Sequence, residues 1–347
     1  MKKYLILVCL LWVYCSCSSS DDAVGMTADF AFAPKSENPN TFLFQAEVSG
    51  DYQLLEWVFP GETVKNRLET EHNFAKKGAY EVTLNLWKDG ECVGKTRTVT
   101  VAQDDPGYEG PKLIWSDEFD GNSLDNAVWS VETDIRVNNE LQKYVDEDNY
   151  VVANGFLTIT AQKVNDDKQF GSYTSARLIT AGKKEFKYGR MEIRAKLPKG
   201  LGIWPAIWML GADVNQGIDW PACGEIDIME YVGYRPGVVQ ASLHCPDRNG
   251  GNSITNTLDL PTEDEFHVYG LHWTEDKIEC YVDDRTQPYF TYDKPASATP
   301  GNWAFDRNFF FILNVAVGGD WGGQQGVDNG IFPASMVVDY VRVYEND

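Results

Sequence analysis

From Thr27 to Tyr344 the chain is written in short runs of alternating apolar and polar residues, separated by turn signals. Thr41-Phe42-Leu43-Phe44-Gln45-Ala46-Glu47-Val48, Phe156-Leu157-Thr158-Ile159-Thr160-Ala161 and Arg190-Met191-Glu192-Ile193-Arg194-Ala195 are examples. Successive side chains of a strand point to opposite faces, so each run builds one buried and one exposed face. No long stretch carries the 3.6-residue period of an amphipathic helix. The pattern predicts an all-β chain, and its 347 residues suffice for two or three domains. Residues 27–103 read as a small all-β sandwich. Asp104-Asp105-Pro106-Gly107-Tyr108-Glu109-Gly110 has the composition of a linker, placed at residues 104–111. Residues 112–347 read as a larger sandwich of two antiparallel sheets.

Glu225-Ile226-Asp227-Ile228-Met229-Glu230 puts three carboxylates within six residues of a β-prone segment. Anions this close repel one another, and a chain keeps such a cluster mainly where it does chemistry. On a regular strand Glu225, Asp227 and Met229 share a face and Glu230 points the other way. One extra residue, a β-bulge, resets the parity and returns Glu230 to the face of Glu225 and Asp227. Two glutamates on one face, roughly 5–5.5 Å apart, are the equipment of a retaining glycosidase.

The formal net charge of −22 argues against nucleic acid and anionic membrane surfaces as partners and suits an uncharged polysaccharide. The 11 Trp and 17 Tyr supply flat faces for stacking on sugar rings as well as core volume. Lys2-Lys3 precede an apolar run from Tyr4 to Tyr14, too short for a spanning helix. Cys92, Cys223, Cys245 and Cys280 are scattered and show no CxxC pairing, so buried thiols are expected there rather than a disulfide framework or a zinc site.

Trp220-Pro221-Ala222-Cys223-Gly224-Glu225-Ile226-Asp227-Ile228-Met229-Glu230 resembles the catalytic strand of glycoside hydrolase family 16, in its bulged, laminarinase-type branch. The resemblance runs from about Leu113 to Tyr344. It includes Trp115-Ser116-Asp117-Glu118-Phe119, Asn138-Asn139-Glu140-Leu141-Gln142, Trp204-Pro205-Ala206-Ile207-Trp208-Met209-Leu210-Gly211 and Val338-Asp339-Tyr340-Val341-Arg342-Val343-Tyr344. It implies a concanavalin-like jelly roll with an open cleft and endo-acting cleavage of β-1,3-glucan, with mixed-linkage β-1,3/1,4-glucan as the alternative substrate. An inactive glycan-binding protein is the rival reading. The same resemblance implies Glu225 as nucleophile, Glu230 as general acid/base, and Asp227 as the group that tunes them.

Further site residues follow from the resemblance. Asn139, Glu140, Arg190, Trp204, Trp208, Trp220 and His244 are expected at the substrate, with absorption of one tryptophan into the core as the alternative. Glu118, Gly155 and Asp339 match a structural calcium site remote from the cleft, with two carboxylates and a backbone carbonyl as ligands. The first module, residues 27–103, resembles the polycystic-kidney-disease type of immunoglobulin-like β-sandwich through Trp57-Val58-Phe59-Pro60-Gly61 and His72-Asn73-Phe74, and a spacer role is expected. Residues 1–16 resemble a bacterial lipoprotein signal cut before Cys17, with 17–26 as a tether. Asp21-Asp22 resemble surface-export signals, so an outer-membrane lipoprotein exposed at the cell surface is expected. The chain is further expected to be a monomer that meets the membrane only through its lipid.

Overall fold

The computed structural model describes residues 25–346, apart from 61, 109 and 134. The chain separates into two compact units, one ending at Gly110 and one beginning at Pro111. Each is described by itself.

The first unit holds a three-stranded and a four-stranded sheet. Thr27–Pro34, Thr41–Ser49 and Glu69–Asn73 form the smaller one. Glu62–Lys65, Leu54–Phe59, Gly78–Lys88 and Glu91–Val101 form the larger. Their alternation buries Phe30, Phe42, Phe44, Trp57, Val82, Leu84 and Val99 in one core. His72 stacks on Phe59 and pairs with Glu62, a structural use of that histidine. The start of the expected linker is bound to this unit. The Asp105 carboxylate accepts hydrogen bonds from Asn38 at 2.6 Å and Asn73 at 2.8 Å, and the Asp105 N–H donates to Ala75. Cys223, Cys245 and Cys280 are free buried thiols as expected, whereas Cys92 is disulfide-bonded.

The second unit is a sandwich of an eight-stranded and a ten-stranded sheet. The order in the first is Ile254–Asp259, Val238–His244, Glu225–Tyr231, Ile203–Gly211, Phe309–Val317, Arg177–Ile179, Ser130–Val131, with Glu185–Phe186 also on Phe309–Val317. One large core fills the space between the sheets. It takes Ile226 and Tyr231 from one strand, Ile207 and Met209 from the next, and Phe309, Phe311, Leu313, Val315 and Val317 from the third. Met191, Ile193, Leu271, Trp273, Val341 and Val343 meet them from the ten-stranded sheet. The alternate residues of the eight-stranded sheet therefore face away from this core, and they build the site. Among the described residues no helix is long and apolar enough to cross a membrane.

Candidate active site

The bulge is present, and its position is defined from both sides. Against Ile203–Gly211, Met229 pairs with Ile207 but Asp227 pairs with Trp208, which leaves Ile228 as the extra residue. Against Val238–His244 the register shifts between Asp227 and Glu230 as well. Met229, which an unbulged strand would send to the face of Glu225, is fully buried in the core with Ile226 and Ile228. Glu225, Asp227 and Glu230 are thereby brought to one face.

Strand register then lays out the rows of that face. His244, Glu225 and Leu210 lie side by side, followed by Ser242, Asp227, Trp208 and Ile312. The third row is Gln240, Glu230, Ala206, Asn314 and Arg177. Gly224 leads into the strand of Glu225 at φ +81°, and a Cβ there would sit 2.6 Å from the carbonyl oxygen of Ala304. Only glycine fits this approach, so the backbone ahead of Glu225 is fixed.

The three carboxylates have few water-exposed atoms and strong neighbours. Burial raises the Glu225 pKa to about 8, with the Asp227 charge adding to it. His244, Arg177 and a hydrogen bond from Trp220 pull the other way. Burial likewise raises Asp227 to about 8, against a hydrogen bond with Glu225. Carboxyl groups packed this closely do not give up their protons independently of one another. Glu230 is pushed well up by burial and by both negative neighbours, and it accepts the Trp204 indole N–H at 3.1 Å.

His244 completes the group. Its Nδ1 accepts the backbone N–H of Gly250 at 3.1 Å, so in the neutral ring the hydrogen sits on Nε2. Nε2 lies 3.1 Å from Asp227 Oδ2 and 3.5 Å from Glu225 Oε1. That buried Asp227 oxygen makes no hydrogen bond. Trp220 overlooks the site, 45% exposed, with its ring 5.9 Å from that of His244.

Glu140 is placed in this unit's polar floor rather than on an open surface. It is 5% exposed and accepts from Gln142 at 2.6 Å, Asn138 at 3.2 Å and Tyr144 at 3.3 Å. Its carboxyl is raised by burial. Tyr144 accepts from Asn314 at 3.0 Å, and Asn314 accepts the Trp208 indole N–H at 2.7 Å. Arg177 lies over the Trp208 ring at 4.7 Å and pairs with Glu132 at 2.5 Å. A continuous chain of polar contacts thus runs from Glu132 to Glu140. Arg177, Asn314 and Tyr144 escaped the sequence reading. The available signal was Arg177 itself, a cation inside the apolar run Ala176-Arg177-Leu178-Ile179, which burial tolerates only when paired.

Several expectations need correction or narrowing. Arg190 is not at this face: it lies on Gly189–Lys196 of the ten-stranded sheet, between core residues Gly189 and Met191, and so points outward. There it pairs with Glu192 and stacks on Tyr344 at 3.9 Å. The alternation that buries Met191 forces this. Trp208 is no open platform, because Arg177 covers its ring and Ile312, Phe310 and Leu210 pack with it in a small separate cluster. Trp204 is half-buried, edge-on to Trp321 at 5.3 Å. Asn139 is exposed and held by Asp320 at 3.0 Å.

Strand pairing does bring the three expected calcium residues to neighbouring positions. Glu118 follows Leu113–Asp117 and Gly155 precedes Phe156–Lys163, both strands pairing with Ala334–Tyr344. Asp339 is the extra residue of a bulge in that shared strand. The carboxylate of Glu118, however, is engaged on both oxygens by Arg342 at 2.9 and 2.8 Å, and Asp339 Oδ2 by Arg194. The expected pair of free carboxylates does not fit. A cation here would draw on Asp339 Oδ1 and main-chain carbonyls. Cys17 and the signal segment lie outside the described residues.

Comparison with known proteins agrees with this geometry. The family model for glycosyl hydrolases family 16 matches residues 137–342. The chain is 44% identical over 246 residues to a β-glucanase of Rhodothermus marinus, covering 67% of this chain and 85% of the relative. It is similar to the crystal structure of a laminarinase from Flavobacterium sp. UMI-01, at 43% identity and a TM-score of 0.62, over 67% of this chain and all of that one. The laminarinase catalytic domain of Thermotoga maritima is similar at 45% identity and a TM-score of 0.63, over 69% of this chain and all of that one. With more than half of its length matched by the family model, the chain belongs to glycosyl hydrolases family 16.

Proposed function

We propose that this protein is an endo-acting, retaining β-glucanase that cleaves β-1,3-glucan by double displacement. The bulge at Ile228 carries the reading. It sets two glutamates and an aspartate on one face of a sheet, beside exposed aromatic rings. Glu225 attacks the anomeric carbon and forms a glycosyl-enzyme while Glu230 protonates the leaving oxygen. Glu230 then takes a proton from water, which attacks the same carbon from the side the leaving sugar vacated, breaks its bond to Glu225 and restores that carboxylate. Its raised proton affinity suits the first step. Asp227 shares a proton with Glu225 in the free site and releases the nucleophile when substrate reorganises the pair. Trp204 and Trp220 offer ring faces to the sugar chain, and the polar floor from Glu140 to Arg177 meets its hydroxyls.

The remaining readings extend this one. The protein is carried on the bacterial outer membrane by lipid at Cys17, with residues 27–103 as a spacer. A calcium ion held by Asp339 Oδ1 and by the main-chain carbonyls of Gly155 and Glu118, whose own carboxylate stays with Arg342, ties together three strands of the ten-stranded sheet, away from the carboxylates that do the chemistry.

The test is a product profile on laminarin, curdlan and barley β-glucan with proton NMR of the first products. Initial release of the β-anomer as mixed oligosaccharides from laminarin and curdlan is expected. First release of the α-anomer, or glucose as sole early product, overturns the mechanism or the endo mode respectively.

A further inference from the structure

We infer that the catalytic face also holds a binding site for a first-row divalent cation of the zinc type, built from Glu225, Asp227 and His244. Three observations carry it. A carboxylate oxygen from each acid and Nε2 of His244 lie within 4.8 Å of one another, the one grouping of this kind among the described residues. Zinc takes N and O ligands at roughly 2.0–2.2 Å in a tetrahedron, which puts neighbouring ligand atoms about 3.3–3.5 Å apart. Nε2 stands 3.1 Å from Asp227 Oδ2 and 3.5 Å from Glu225 Oε1, already near that spacing. Asp227, 3% exposed, aims into the group an oxygen that no hydrogen bond satisfies. A buried acceptor left unpaired is costly, and a cation relieves it.

A tetrahedral cation drawn in by these three atoms would keep its fourth position for water or a sugar hydroxyl. One local change is needed. Nε2 must give up its hydrogen to Nδ1, and the Gly250 N–H must then turn away from the ring. Gly250 and Gly251 are adjacent glycines on an exposed turn, with open space where a side chain would be. That peptide can move at little cost. Calcium and magnesium, which want six or more oxygens, fit this three-ligand site poorly. Because Glu225 would be a ligand, the cation excludes the glycosyl-enzyme. Zinc would be a reversible inhibitor that competes with substrate, an extension that rests on the proposed activity.

The test separates binding from activity. Cobalt(II) added to the full chain should give the intense visible absorption of four-coordinate cobalt, and ZnCl2 should displace it and raise the melting temperature. His244→Leu and Asp227→Asn, each checked for fold by circular dichroism, should weaken zinc binding by more than the roughly 10–100-fold that loss of a supporting residue costs. With β-1,3-gluco-oligosaccharide present, the apparent zinc affinity should fall. Unchanged zinc affinity in both folded variants, octahedral cobalt spectra, or no shift in melting temperature overturns the site. Inhibition that substrate does not relieve overturns the competition. A protein inactive on glucan that still binds cobalt in this way would refute the activity and leave the site standing.

Discussion

At the residue scale, catalysis and stability are opposed in the carboxylate group. Both Glu225 and Asp227 have folded-state pKa values raised to about 8, against an unfolded carboxylate near 4. Between those values the folded protein holds protons the unfolded chain has released, so stability falls as pH rises through that window and levels off above it. Glu225→Gln removes the penalty. The variant should lose several orders of magnitude in turnover while its unfolding free energy exceeds wild type by on the order of 1–3 kcal/mol at pH 8, converging toward pH 4. Denaturant unfolding at a series of pH values checks this. A gap that is absent, or that widens toward acid, contradicts the burial of this charge. Glu230→Ala should be rescued in part by azide with an activated aryl glycoside, because that leaving group departs without a general acid and azide attacks the glycosyl-enzyme without needing a general base. Absence of azide rescue there would count against the acid/base role.

At the element scale, one residue decides the site. Deleting Ile228 restores regular pairing and sends either Glu230 or the Glu225–Asp227 pair toward the core. It also removes a side chain that is 1% exposed, at a cost of about 2–5 kcal/mol. The deletion should abolish activity even at a temperature where circular dichroism shows a folded sandwich. Activity retained above about a tenth of wild type would mean that the carboxylates do not depend on the bulge. The floor beneath the site has its own logic. Arg177, Trp208, Asn314, Tyr144 and Glu140 come from four separate stretches of chain, so their contacts exist only once the sheet has closed.

At the scale of the whole molecule, the proposed metal and the proposed anchor are separable from the chemistry. Chelation should lower the melting temperature, since a cation that binds only the folded state stabilises it by mass action. The rate per folded molecule should hold, because Asp339 and Glu225 lie on different sheets of the sandwich. Loss of turnover by a protein that circular dichroism shows to be folded would place the calcium at the catalytic face instead. Cys17→Ala should abolish lipid labelling and release the protein from membrane fractions; labelling that persists there and vanishes in Cys15→Ala would move the anchor to Cys15.

The alternation of apolar and polar residues by itself determined the all-β class, because a two-residue period can bury only one face of a strand. The parity of Glu225, Asp227 and Glu230 likewise required a bulge before any coordinate was known. Tertiary structure decided the rest, since it depends on which strand lies beside which. His244 meets Glu225 through register, and its tautomer is set by a backbone N–H six residues on. Arg190 sits in a strand whose core face is Met191 and Ile193, and that sheet lies opposite the site. Glu118 and Asp339 look like free ligands in one dimension, but their carboxylates are engaged by Arg342 and Arg194, from residues 224 and 145 positions away. Local pattern fixes what a residue faces within its own strand; only packing fixes what it faces across the sheet.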